Sequence, residues 1–238
     1  MKIRPLPDID LARIAPLAPA HQRKALEQIR YGRPPFSYGP LRGCLLDIFN
    51  VQPEMFRPVG PTSWNVIEEL LAKRCRTPEE RKANLQVARG LHHYATGSRI
   101  LGRSQEFFPL AMSAGRKVAY WLPMVLIIDG RPSVPFIDPR RSRGLTVEAR
   151  RFAFSMMHER IRAADPDFAS IQFSIIQFGN VEGDQRSPRF HTDDGVKLFS
   201  FDEMEAMVSA TYDLWREVCE EREIETRREA SGAHGPLI

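Results

Sequence analysis

Asp138, followed by Pro139, Arg140, Arg141 and Arg143, is the carboxylate best placed to do chemistry in this chain. It ends an apolar run, and a carboxylate at a strand end can ligate a divalent cation or orient a water. Either task needs a second acid. Tyr120, Trp121 and Leu122 offer none, and Asp129 lies nine residues of strand away, about 30 Å at ~3.3 Å per residue. Glu106 is the remaining candidate. Around Asp138 the charge is uneven: eight arginines from Arg131 to Arg162 meet only Asp138, Glu148 and Glu159, whereas Ser200 to Ala230 carries ten acids against four arginines. Clustered arginines are the electrostatic footprint of phosphate contacts. Arg131, Arg140, Arg141, Arg143, Arg150 and Arg151 are the residues expected to make them. The alternative is a solvated face whose arginines pair with the acidic tail, with Asp138 paired to Arg140 or Arg141 or capping the turn toward Thr146.

Other reactive side chains form no convergent pattern. His92 and His93 are adjacent on a helix and point about 100° apart, which does not suit one metal. His158-Glu159 sits within a helix, and the aspartates of His191-Thr192-Asp193-Asp194-Gly195 are explained by a hairpin turn. Ser155 lacks the glycines of a nucleophile elbow. Cys44, Cys75 and Cys219 are odd in number and far apart, so they read as reduced thiols rather than a disulfide framework or a zinc site.

The elements that position these residues follow from periodicity. Pro19 opens a helix that ends near Gly32, after an irregular 1–18. Prolines 34, 35, 40, 53, 58 and 61 make the next stretch a connector, but its apolar residues, Leu41 to Phe49 and Phe56 among them, imply that it wraps the core or buries a short helix around Leu41 to Phe49. Trp64, Ile67 and Leu71 mark one helix, and Thr77-Pro78-Glu79-Glu80 caps another that stops at Gly97. Then the period changes to that of strands: 106–112, 118–128 and 132–138, joined by turns at Ala114-Gly115 and Asp129-Gly130. Asp-Gly between apolar runs favours a two-residue turn, which sets Ile128 opposite Arg131 and Asp138 opposite Trp121. With Pro123 then opposite Glu106, Glu106 and Asp138 share a face, ~10–12 Å apart. Pro123 marks a bulge. A helix from Thr146 to Arg162, a strand at 170–178, a mobile loop at 180–190 and a long helix from the Ser200 to Glu203 capping box complete the chain.

The order αβββαβ over residues 77–179 resembles the restriction-endonuclease-like (PD-(D/E)xK) superfamily. That resemblance implies a metal site built from Asp138 and Glu106, with Mg²⁺ if the protein is catalytic and Arg140 in the place of the usual lysine. Arginine is always protonated and cannot act as a general base. The implied protein is nucleic-acid-associated, bound to DNA or RNA, with cleavage lost or retained.

The fold class expected is α/β (α+β): an αβββαβ core with a four-stranded mixed sheet, an N-terminal helical wrap and a C-terminal helix. Its parts are a proline-rich wrap at 1–76, a core at 77–218 and a charged tail at 219–238. The longest apolar run, Val118 to Ile128, is roughly half of the ~20 residues a membrane helix needs, and the N-terminus has no signal-like apolar region. A cytoplasmic location is expected. The other function class left open is a protein-interaction or adaptor module, docking a partner or a second copy through residues 204–229 and the arginine face.

Overall fold

The computed structural model describes residues 5–29, 36–52, 60–112 and 115–232. At its centre is a six-stranded mixed sheet, ordered β1 (Val51–Gln52), β2 (Leu101–Ser104), β5 (Met124–Ile128), β6 (Arg131–Ile137), β7 (Gln172–Glu182) and β8 (Gln185–Thr192). Strand pairs β1–β2 and β6–β7 run parallel and the others antiparallel. Two more strands, β3 (Leu110–Met112) and β4 (Arg116–Val118), pair only with each other. The helices are α1 (Asp8–Ile14), α2 (Pro19–Glu27), α3 (Gly39–Arg42), α4 (Leu45–Ile48), α5 (Trp64–Arg74), α6 (Pro78–Gly97), α7 (Val147–Met157) and α8 (Phe201–Gly232). The mixed α/β class is the expected one, and α6, β2, β5, β6, α7 and β7 follow the order αβββαβ. Two flanking strands raise the expected four to six.

The Asp129-Gly130 turn sets the register as anticipated: both residues have positive φ, 50° and 76°, and Ile128, Ile127 and Leu126 pair with Arg131, Pro132 and Ser133. Beyond Met124 the expectation fails, because Pro123 has no N–H for the ladder. The chain leaves the sheet there, with Leu122 N–H donating to Pro135 O (2.8 Å). The expected strand 118–128 is therefore split, and residues 105–109 are loop. Leu101–Ser104 takes their place beside β5. The expected mobile loop at 180–190 is instead the β7–β8 hairpin, turning at Gly183 (φ 62°). Residues 8–14, expected to be irregular, form α1 and bury Ile9, Leu11, Ala12 and Ile14. Pro34, Pro35, Pro53, Phe56, Pro58, the Gly32 stop and Ala114 lie outside the described residues.

Each sheet face has its own core, as strand alternation requires. On one face Met124, Leu126, Ile128, Ile137 and Ile176 pack with α6, α5 and the short helices α3 and α4. On the other Val134, Phe136, Phe173 and Ile175 pack with α7, α1 and α8. The hairpin is pressed against α6 so closely that a Cβ on Gly90 would lie 1.9 Å from the backbone oxygen of Arg186. Arg186 is itself buried, and its guanidinium donates to the carbonyls of Pro139 (2.7 Å), Gly179 (3.0 Å), Phe178 (3.2 Å) and Arg140 (3.2 Å).

Helix α6 begins on a cap that departs from the expected box. Glu80 N–H donates to Thr77 Oγ1 (3.1 Å), but the Glu80 carboxylate accepts from Arg76 N–H (2.7 Å) and Ser37 N–H (3.0 Å) rather than from Thr77. The connector is thus tied to the helix start. The second box forms as expected, Ser200 and Glu203 exchanging bonds of 2.7 and 3.2 Å. Helix α8 buries Met204, Val208, Thr211, Trp215 and Val218 in the chain's own core. Its docking continues past Val218, because Arg222 donates to the carbonyls of Ile29, Leu26 and Glu27 at the end of α2.

Two measurements check this packing. Backbone donors hold the Glu80 carboxyl down at about 2, below its ordinary 4.5. Its contribution is therefore complete above pH 4.5 and lost as pH falls toward 2. Glu80→Gln should remove that part of the acid dependence of the urea midpoint. Ending the chain after Glu220 removes Arg222 and should cost on the order of 1.5–3 kcal/mol, a charged donor's share. Ending it after Ile224 should leave the thermal midpoint unchanged.

Candidate functional site

Asp138 is 1% exposed, and its carboxylate is spent on the loop that follows β6. Oδ2 accepts from Leu145 N–H (2.7 Å) and Gln177 Nε2 (3.0 Å), and Oδ1 from Arg140 N–H (3.3 Å). A Cβ on Gly144 would lie 2.9 Å from Oδ2, so the loop is fitted around the carboxylate. Arg150 closes the same network by donating to Gln177 Oε1 (2.9 Å) and Leu145 O (3.2 Å). This is the turn-bracing alternative, and the shared Glu106–Asp138 face does not form. Glu106 is exposed in the 105–109 loop, where no strand register carries it toward Asp138. Among the described residues no three His, Cys, Asp or Glu side chains are grouped to hold a metal ion.

The six arginines read as a phosphate-binding face are largely committed elsewhere. Arg140 makes a two-pronged pair with Asp10 (2.6 and 3.1 Å), Arg141 bonds Gln86, and Arg131 faces Asp194 (3.7 Å). Arg151 bonds Lys197 O (2.5 Å) with its guanidinium 3.7 Å from the Phe199 ring centre. Only Arg143, exposed at a positive φ of 56°, has no such commitment among the described residues. His92 bonds Thr62 O (3.0 Å). Asp193 pairs with Arg162 (2.6 Å) and accepts from Phe173 N–H (2.9 Å); the chain turns at Asp194-Gly195 as expected, but no strand follows it, so the hairpin expected there does not form.

The surface left unused is apolar. On the sheet face that carries α7, the helices cover β6 and β7 but stop short of β2 and β5. Register puts Leu101 beside Ile127 on this uncovered half and Arg103 beside Val125, which is buried at its inner border. Leu101 is 59% and Ile127 40% exposed. With Pro132 they floor a groove of about 450 Å³ whose far wall is Phe168 and Ile171. That wall is held from below: α7 ends in a π-helical turn, His158–Arg162, and Arg162 donates to Ile171 O (2.7 Å) while pairing with Asp193. Phe107 packs edge-on against Phe168, ring centres 5.2 Å apart. Arg103 is the cation in the groove, and it has no ion pair among the described residues. An apolar floor, an aromatic wall and two opposite charges at the edge, Arg103 and Asp167, can bind another protein's side chains. Sequence reasoning missed this groove because its strand, β2, is four residues long and lies before the expected sheet.

Comparison with known proteins bears on what such a surface does. The family described as the sliding clamp-binding bacterial toxin SocB matches residues 9–225. A protein of Caulobacter vibrioides (strain NA1000 / CB15N), the DNA replication inhibitor toxin SocB, is 37% identical over 232 residues, covering 98% of this chain and 97% of that one. No solved structure matches.

The bracing role of Asp138 can be measured directly. Asp138→Ala leaves Leu145 N–H without its acceptor and the Gln177 amide with Leu145 O alone, and should cost about 2–4 kcal/mol, or roughly 4–16 °C of thermal midpoint in a chain of this size. A variant as stable as the parent would show that the loop holds itself.

Proposed function

Because this chain belongs to the SocB family of sliding clamp-binding bacterial toxins, we propose that it inhibits DNA replication by holding the sliding clamp. The observation that carries this reading is identity of 37% across nearly the whole of both chains with a replication inhibitor. Family membership also overturns the resemblance to the restriction-endonuclease-like superfamily, and with it the nucleic-acid-binding function. A shared αβββαβ order is a property of topology, and function rests on sites rather than folds. The protein-interaction alternative is the reading that the family supports.

The proposed contact is the uncovered half of the sheet around Leu101, Arg103, Ile127 and Phe168. Binding there needs no catalytic group: apolar side chains of the partner leave water against Leu101 and Ile127, and Arg103 supplies a charge for orientation. No helix among the described residues is long and apolar enough to cross a membrane. Under this reading the protein works beside the replication machinery, in the cytoplasm.

The test uses purified clamp. The chain should bind it and reduce clamp-dependent primer extension. Leu101→Asp and Ile127→Asp should each weaken binding about tenfold or more, as loss of a central apolar contact does. Ile224→Asp, at an exposed position on α8, should bind as the parent does. Amide protection on binding is expected at 101–104, 124–128 and 166–171. Protection confined to the connector 53–59, which carries Met55 and Phe56, would move the contact off the sheet, and no binding by the parent would remove the clamp reading altogether.

A further inference from the structure

A second cavity, of about 450 Å³, lies among the start of α1, helices α3 and α4, the 119–122 loop and the end of β6. Its size falls within the range of small-molecule sites, ~300–1,000 Å³. Leu41, Leu45, Trp121 and Ile137 give it apolar walls. Two opposite charges also face it, Asp8 and Arg42.

Neither charge is neutralised by a direct partner. Burial raises the Asp8 carboxyl above its ordinary 3.8, with Arg42 acting on it only at a distance and Ala119 N–H as its donor. Among the described residues Asp8 makes no ion pair. Arg42 is exposed at the rim and makes none either. The other lining cation, Arg140, is occupied by Asp10 (2.6 Å). A half-buried carboxylate without a cation is a standing cost that a bound ammonium would offset. A simple amine, however, would meet Arg42 and Arg140, and a simple acid would meet Asp8. The complementary ligand carries both charges on an apolar body.

We propose that this cavity binds small zwitterions with an apolar side chain, the apolar α-amino acids, their ammonium on Asp8 and their carboxylate on Arg42. The apolar body replaces water against Leu41, Leu45 and Trp121. Nothing in this assignment depends on clamp binding, because the cavity and the β2–β5 groove share no lining residue.

Calorimetry and thermal shift on the full chain test it with L-phenylalanine and L-leucine as probes. Each should bind and raise the thermal midpoint. Phenethylamine, lacking the carboxylate, and 3-phenylpropionate, lacking the amine, should bind about tenfold or more weakly, the loss of one charged hydrogen-bonding partner. Asp8→Asn should lose the preference for phenylalanine over 3-phenylpropionate, and Arg42→Gln, at the exposed rim, the preference over phenethylamine. No shift with either amino acid, equal binding of the truncated probes, or unchanged preferences in both variants would overturn the assignment.

Discussion

The guanidinium of Arg186 is the interaction on which the arrangement rests. A buried cation is tolerable only when its donors are satisfied, and here four carbonyls from two separate segments supply that satisfaction. Two of them, from Pro139 and Arg140, belong to the loop that Asp138 braces. The other two belong to β7. One side chain therefore ties the end of β6 to the far edge of the sheet, and the Gly90 contact seats the same strand on α6. Lysine could not substitute, since its three donors on one atom lack the planar spread that reaches all four acceptors.

This arrangement explains why the candidate surface lies where it does. The β6, β7 and β8 side of the sheet is loaded: α6 on one face, α7 and α8 on the other, and polar ties at its loop ends. The β2 and β5 side has the helical cover on one face alone. The uncovered half is stiff nonetheless, because Arg162 anchors its wall through Ile171 and Asp193. A preformed surface of this kind loses little conformational freedom on association, and affinity depends on that economy more than on area.

How much of this was legible in the sequence differs by element. The Asp129-Gly130 turn and the Ser200 to Glu203 box are local signals, and each carried its element correctly. Helix α1 was hidden because prolines 5, 7 and 16 crowd seven helical residues. The β7–β8 hairpin was hidden because its polar residues mask the alternation, although Gly183-Asp184 is itself a two-residue turn signal. The arginines misled for a different reason. Counting charges shows where cations cluster along the chain, but their partners, Asp10, Gln86, Lys197 O and Asp194, are distant in sequence and are specified only by folding. The same holds for Asp138, whose strand-end position was read correctly and whose use was not. The groove had no sequence signal beyond exposed apolar residues, which are ordinary on any surface.

The Arg186 contacts also constrain how the chain comes to be folded. Its bonds to Pro139 and Arg140 span 47 and 46 residues, and the strand it sits on seats α6, made about a hundred positions earlier. Such long-range closures are paid for in chain entropy before they return any stability. During synthesis, α6 and the end of β6 emerge well before the strand that locks them. Ties made among the earlier residues, such as Arg140 to Asp10 and Ser37 to Glu80, do not wait for that strand, whereas the loop after β6 gains its guanidinium donors only once β8 has emerged.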